Sequence, residues 1–327
     1  MRSSKPAGDQ DPIAALGPSP SILLLRQDRF GDVLMSSFML TTLRERYPNS
    51  KISILLGKKN AAAAPMLPIP CDVFVYRKQP AEDWKMLRAL RKQKIDIAID
   101  MTDKASVTSS ILLTMIGARV TIGVEKENSV VYDVTVPRLN TETVHVARRT
   151  AELLRPFGID PDTVNLQPRA KIAINRVAGR VGFNVSARVP ERCAPAGASA
   201  AIVAGLLKSG IREVVIYADP DDRTRGEEIV RTVNNPRVTL APNAPGFPAF
   251  AEQIATCEYL ITTDTSVVQI AAAAGIPTLV LFNPTPGLHF WTPQGVPFEE
   301  YVQHPQLAAL EPQPALALFK KLTASQP

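Results

Sequence analysis

The sequence predicts an α/β protein of two tandem halves, each a parallel sheet flanked by helices. Three observations predict it. The 327 residues suit two domains of about 150 residues, each able to bury its own core. Short aliphatic runs alternate with amphipathic helical patterns in both halves. Between Asp160 and Arg180 that alternation lapses into a polar, Pro-containing stretch without a period.

The elements follow in order. Ser21–Arg26 (SILLLR) is a continuous aliphatic run of buried-strand type, and a helical pattern runs from Val33 to Tyr47, stopping at Pro48. KISILLG and DVFVYR are the next strands. EDWKMLRALRKQK is a helix with Trp84, Leu87 and Leu90 at helical spacing, and IDIAID is a strand. ASVTSSILLTMIG is a helix ending at Gly117, and HVARRTAELLRPFG is one amphipathic helix. After the linker the strands RVGFNV, EVVIYA, EYLITT and TLVLF alternate with the helices GASAAIVAGLLKSG, RGEEIVRTVN, FAEQIATC and SVVQIAAAAG. The expected organisation is a flexible tail (1–20), a first Rossmann-like domain (21–165), a linker (166–180), a second Rossmann-like domain (181–312) and a C-terminal tail or short helix (313–327).

Composition narrows the function. Three scattered cysteines, Cys71, Cys193 and Cys257, form neither a disulfide framework nor a thiolate metal site, and they suit a reducing, cytoplasmic compartment. The start of the chain lacks the apolar stretch of a signal peptide, and no run is long enough to span a membrane. The absence of G-x-G-x-x-G and of G-x-x-x-x-G-K-[ST] argues against dinucleotide dehydrogenases and P-loop NTPases. The net charge of +6 lies wholly in residues 1–170, where 24 Lys+Arg stand against 18 Asp+Glu; the remainder has 13 of each. Such an excess is either incidental or the mark of a half that meets an anionic partner. A nucleic-acid partner is not expected, because the basic half has neither interleaved aromatics nor a recognition motif.

In open α/β sheets, ligands bind beyond the carboxyl ends of the strands, where loops enter helix N-termini. Four loops carry suitable chemistry. In RQDRFGDVLMSS, Gly31 is expected to turn the chain from strand to helix, and Asp32 then lands in the helix's first turn. There it serves either as a cap or as a carboxylate that takes a proton from an acceptor hydroxyl. NVSARVPERCAP offers the Ser186 hydroxyl and the forked guanidinium groups of Arg188 and Arg192, suited to phosphate. YADPDDRTRGEE carries Asp219 to Asp222; its D-x-D is a very weak cation signal, since the same residues make an ideal turn and cap, and a carboxylate there could instead accept hydrogen bonds from ribose hydroxyls. In TTDTSVVQIAAAAG, Asp264, Thr265 and Ser266 open a helix whose free N–H groups favour an anion. His145, His289 and His304 are too dispersed for a metal cluster, and His145 reads as a helix cap or an acceptor contact.

Taken together, these loops resemble glycosyltransferase family 9, the heptosyltransferase family. ILLLRQDRFGDVLMSSFMLTTLRERYP resembles its strand, R-x-D-x-x-G-D and helix; IDIAIDM with Lys104 resembles its Y-D-x-x-I-D strand and downstream lysine. HVARRTAELLRPFGI resembles the helix before the linker, and TDTSVVQIAAAAGIPTLVLFNPT its D-T-x-x-x-H-x-A-x-x-x-G-x-P-x-x-x-x-F-G-P-T signature. The resemblance covers residues 21 to 295. It implies a GT-B fold, two facing Rossmann-like domains with parallel sheets, with the acceptor mainly on the first and the nucleotide sugar on the second. It also implies inverting transfer that needs neither metal nor other cofactor.

By position, the resemblance makes Asp32 the general base. It places Ser186 and Arg192 at the diphosphate, Asp222 near the ribose, and Asp264 and Thr265 at the donor sugar and phosphate; Arg188 and Ser266, on the same loops, and Gln269, at the family's His position, join them as donor candidates. Lys104 and Arg149 fall at basic positions for an anionic acceptor, and Lys58 and Lys59 join them as acceptor candidates. The expected partners are a nucleotide diphosphate sugar, ADP-heptose or another, and an anionic glycan or glycolipid such as lipopolysaccharide core. A cytoplasmic enzyme, peripheral on the inner membrane surface, is the corresponding location. Departures surround the donor: Gln269 stands where the family has His, CAP replaces W-P, Asn283 replaces Gly, and Pro286 replaces Asp. Heptose is therefore one candidate sugar among related ones. A degenerate member that binds without catalysis, and a nucleotide-sugar epimerase of the same fold, are the competing readings.

Overall fold

The computed structural model describes residues 12–284 and 287–324. The chain divides into two compact units, the first ending at Leu166 and the second beginning at Gln167. Each is built around one six-stranded, wholly parallel sheet.

In the first unit β1 (Ile22–Arg26) is followed by α1 (Phe30–Met35), α2 (Phe38–Arg46), β2 (Ile52–Gly57), β3 (Asp72–Tyr76) and α3 (Pro80–Lys92). Then come β4 (Ile97–Asp100), α4 (Val107–Ile116), β5 (Val120–Val124), β6 (Val134–Val136) and α5 (Val146–Ala151). The strand order is β3-β2-β1-β4-β5-β6. The central strands β1, β2, β4 and β5 are buried along their whole length, because crossover helices cover both faces of a parallel sheet. Edge strand β3 is exposed or half-buried throughout.

The second unit contains β7 (Val177–Asn184), α6 (Ala196–Lys208), β8 (Glu213–Tyr217), α7 (Arg223–Val233), β9 (Val238–Leu240) and α8 (Phe247–Ala255). It continues with β10 (Cys257–Thr263), α9 (Val267–Ala274), β11 (Thr278–Phe282), β12 (Phe298–Val302) and α10 (Pro312–Ala324). Its order, β12-β11-β10-β7-β8-β9, is the first sheet's order counted from the other edge. Both are the doubly wound Rossmann arrangement. In each, the order reverses between the first and fourth strands, β1/β4 and β7/β10, and at that reversal the loops part and leave a crevice.

Several sequence expectations are corrected. The single helix expected over Val33–Tyr47 starts earlier and is broken: the Ser36 hydroxyl donates to the Asp32 carbonyl at 2.7 Å and the Ser37 hydroxyl to the Leu34 carbonyl at 2.6 Å. Side chains that occupy the carbonyls of the preceding turn compete with the helical ladder, and α1 and α2 meet there. Gly31 is inside α1, outside the positive-φ region, so the turn out of β1 is made by Gln27–Arg29. The helix expected from His145 to Gly158 is α5 followed by a 3-10 segment, Glu152–Phe157, which contains Pro156. Strands β5, β6, β9 and β12 were not anticipated. Three of these are edge strands, and β6 and β9 have three residues each, too short to show a period.

The terminal and linker boundaries also shift. Of the expected tail 1–20, residues 1–11 lie outside the described residues, and Ile13 beyond them is buried. Strand β7 begins inside the expected linker. Of the two readings of the C-terminal segment the helix holds: α10 contributes Ala315, Phe319 and Leu322 to the core shared with α6 and β7.

Candidate active site

In the first unit the chemistry gathers at the β1/β4 reversal. Arg26, the last residue of β1, is 3% exposed. It donates to the Asp32 carbonyl (3.3 Å) and the Met101 carbonyl, and lies 3.5 Å from Asp28 Oδ2 and 3.7 Å from Asp32 Oδ1. One buried guanidinium thus joins the loops after β1 and β4. Asp32 is the third residue of α1, and its Oδ2 accepts the Arg29 N–H at 2.7 Å in a capping box. The cap reading therefore holds, and it employs one carboxylate oxygen while Oδ1 faces Arg26. The side chain is one-tenth exposed, neither sealed nor open. Desolvation, opposed by Arg26 and reinforced by the carboxylates of Asp32, Asp100 and Asp103, holds the neighbouring Asp28 carboxyl above the usual carboxylate range.

The acceptor candidates divide. Lys58 and Lys59 are exposed on a tight turn after β2, beside β1. Asn60, itself fully buried, fixes that turn by donating to the Arg26 carbonyl (3.0 Å) and accepting the Gly57 N–H (2.8 Å). Lys104 is exposed on the other side, after β4. Arg149 differs: it is 8% exposed, and its Nε and Nη2 both bind Asp103 Oδ2, at 2.9 and 2.7 Å. It anchors α5 to the β4 loop instead of presenting a free cation.

Sequence reasoning missed the network beneath these groups. Asp100 and Lys126 are fully buried and paired at 3.2 Å. Lys126 also donates to the Thr102 carbonyl (2.5 Å), and the Tyr132 hydroxyl donates to Asp100 Oδ2 at 2.6 Å. Burial and the Asp100 charge push the Tyr132 phenol up, so it remains a donor. Gly123 is required here, since a Cβ would enter the Tyr132 ring. Asp100 and Arg26 were visible as motif positions without a role. Lys126, in the loop after β5, carried no sequence signal, because its partner Asp100 lies at the end of β4, 26 residues away.

In the second unit the loops after β7, β8 and β10 converge on the β7/β10 reversal. Asn184 and Thr263 clamp the Ser186 carbonyl at 3.1 and 2.9 Å, fixing the exit of β7. Arg192 and Asp264, 72 residues apart, pair at 2.8 Å. Thr265 lies just before α9, its hydroxyl accepting the Val267 N–H at 3.2 Å, and Ser266, the N-cap residue, stands half-buried at the same turn. Arg188 is exposed on the loop that carries Arg192.

Ser186 is not presented at the surface as expected. It is 1% exposed, and its hydroxyl accepts the Asp219 N–H at 2.9 Å, which leaves its proton still to donate. Asp222 pairs with Arg225 at 3.2 Å and faces the Cys193 thiol. Burial pushes that thiol up, so the cysteine of CAP is a packed, neutral group under the Arg192 loop. Asn283 Oδ1 accepts the Leu307 N–H, so the residue standing in place of the glycine tethers the chain there. Pro286 lies outside the described residues. Gln269 donates to the Trp291 carbonyl at 3.1 Å, while its Oε1 is buried with no hydrogen-bond partner among the described residues.

Two Rossmann units, each with charged groups at its switch point, define an α/β protein of the GT-B class of sugar transferases. The family model for glycosyltransferase family 9 (heptosyltransferase) matches residues 83–313, and the chain belongs to that family. It is thus a glycosyltransferase. It is 24% identical over 286 residues to lipopolysaccharide heptosyltransferase 3 of Escherichia coli, covering 80% of this chain and 83% of that one. Among solved structures it resembles a family 9 glycosyl transferase of Veillonella parvula, with a TM-score of 0.77, 18% identity, and 94% and 98% of the two chains covered. It also resembles the E. coli heptosyltransferase WaaC with ADP, with a TM-score of 0.75, 16% identity, and 92% and 99% covered.

Proposed function

We propose that the protein transfers heptose or a related sugar from a nucleotide diphosphate donor to lipopolysaccharide core or another anionic glycan, with inversion and without a metal ion. The first unit binds the acceptor, and the second binds the donor. Asp32 takes the proton of an acceptor hydroxyl as that oxygen attacks the anomeric carbon from the face opposite the diphosphate. The bond to the diphosphate breaks, and the nucleoside diphosphate leaves with the charge. Arg192, Arg188 and the N-terminus of α9 offset that charge, with the Ser186 proton and the Thr265 and Ser266 hydroxyls beside them. Asp264, which holds Arg192 at 2.8 Å, orients the guanidinium and exchanges places with the diphosphate. The enzyme works in the cytoplasm, at the inner membrane surface.

The observation that carries this reading is Asp32, held by Arg26 and the Arg29 N–H at the β1/β4 reversal of a family 9 chain. Asp32→Asn keeps a carbonyl oxygen for the cap. Calorimetry should show nucleotide-sugar binding unchanged, while turnover with acceptor falls by about 10²–10⁴. Near-normal turnover in that variant would remove Asp32 as the base.

A further inference from the structure

The first unit also carries an apolar face that its own core does not use. Helices α3 and α4 pack on one side of the sheet through Met86, Leu87, Leu90, Leu112, Leu113 and Ile116. On their outer side Trp84 is 53% exposed, Val107 77% and Ile111 53%. A 3-10 turn tied to α4 by an Asn128–Ser110 hydrogen bond of 2.7 Å adds Val130, 94% exposed. Val107 and Ile111 are one helical turn apart, so they form a single stripe. Trp84 sits early in α3, Val107 opens α4, and Val130 follows β5. All three elements leave the same edge of the sheet as Asp32, Lys58, Lys59 and Lys104.

The surroundings are basic. Arg88, Arg91 and Lys92 continue the Trp84 stripe at spacings of 4, 7 and 8, all exposed, and Arg77, Lys78 and Lys94 flank the helix. Of the exposed acids nearby, Glu82 pairs with Lys85, Glu127 with Arg138 and Asp72 with Lys51, leaving Glu125 and Asp133. A second copy on this face would set one basic stripe against another. An anionic bilayer satisfies both halves of the pattern: aliphatic side chains enter the headgroup boundary, an indole lies at the interface, and Lys and Arg reach phosphates.

We propose that the α3–α4 face, with Trp84, Val107, Ile111 and Val130 inside a ring of Arg and Lys, docks the protein on an anionic lipid surface. Docked this way, the Lys58, Lys59 and Lys104 edge meets an acceptor anchored in that surface. This purpose rests on the proposed acceptor; the docking itself does not.

The test is flotation of the full chain with phosphatidylcholine vesicles, with and without about a third phosphatidylglycerol. Binding is expected to the anionic vesicles only, weakening with salt. The pairs Val107→Glu/Ile111→Glu and Arg88→Glu/Arg91→Glu should each lower it about tenfold while melting like the parent and leaving transfer to a short soluble acceptor unchanged. Failure of the parent to float, or variants that float as well as it does, overturns the proposal. A concentration-dependent dimer abolished by Ile111→Glu also overturns it and makes the face a self-interface. Flotation without any transfer would sink the functional reading and leave the docking surface standing.

Discussion

Lys126 and Asp100 show how single residues can brace a loop from beneath without entering the candidate site. Both are shut away from water, and each is tolerable only because the other, with Thr102 and Tyr132, completes its hydrogen bonds. The pair lies behind the β4 loop that carries Asp103 and Lys104, and its bonds to Thr102 stiffen that loop. Lys126→Met leaves Asp100 as an uncompensated buried charge and should cost about 3–5 kcal/mol in urea unfolding. Adding Asp100→Asn should recover part of that loss. A single variant within about 0.5 kcal/mol of the parent would show the pair to be dispensable. Arg26 follows the same logic at β1, where a buried cation keeps two aspartates close together at a strand end.

At the scale of elements, ends matter more than lengths. Helix α1 is six residues long, yet its capping box and Arg26 fix its start, and with it the proposed base Asp32, while the Ser36 back-bond marks its end. The α5 region relies on a charge triad in the same way. Burial alone would raise the Glu152 carboxyl, but hydrogen bonds from Arg155 and Arg148 outweigh it and hold it below its ordinary value. A depressed carboxyl stabilises the fold fully above the unfolded-state value of about 4.3, and that contribution disappears as pH falls through the folded value. Glu152→Gln should therefore lose about 1–3 kcal/mol at pH 7, read as a lower Tm, with the gap to the parent closing below about pH 4. A gap that stays constant with pH would mean that packing, not charge, accounts for the effect.

For the whole molecule, the two sheets share one strand order, and each collects its charged loops where that order reverses. A ligand of the second unit should then stabilise the folded chain. At a hundredfold excess over Kd a nucleotide diphosphate sugar contributes about 2.7 kcal/mol, or roughly 5–10 °C in Tm. A thermal-shift panel of such sugars should pick out one base and sugar, and Arg192→Ala should abolish most of the shift. A panel without any responding member would remove the donor assignment.

The sequence by itself determined the α/β class, the two units and the family, because strand and helix periods and the R-x-D-x-x-G-D and D-T-x-x-x segments are local patterns. It placed Asp32, Arg192, Asp264 and Thr265 on strand-to-helix turns for the same reason. Tertiary structure decided what those patterns do not contain: short edge strands that exist only by pairing with neighbours, Arg149 tied to Asp103, Ser186 buried under the Asp219 loop, and Lys126 closing on Asp100. Each of these is a contact between strands or loops distant along the chain. Its energy depends on burial and on the partner's position, and neither can be read from the order of residues alone.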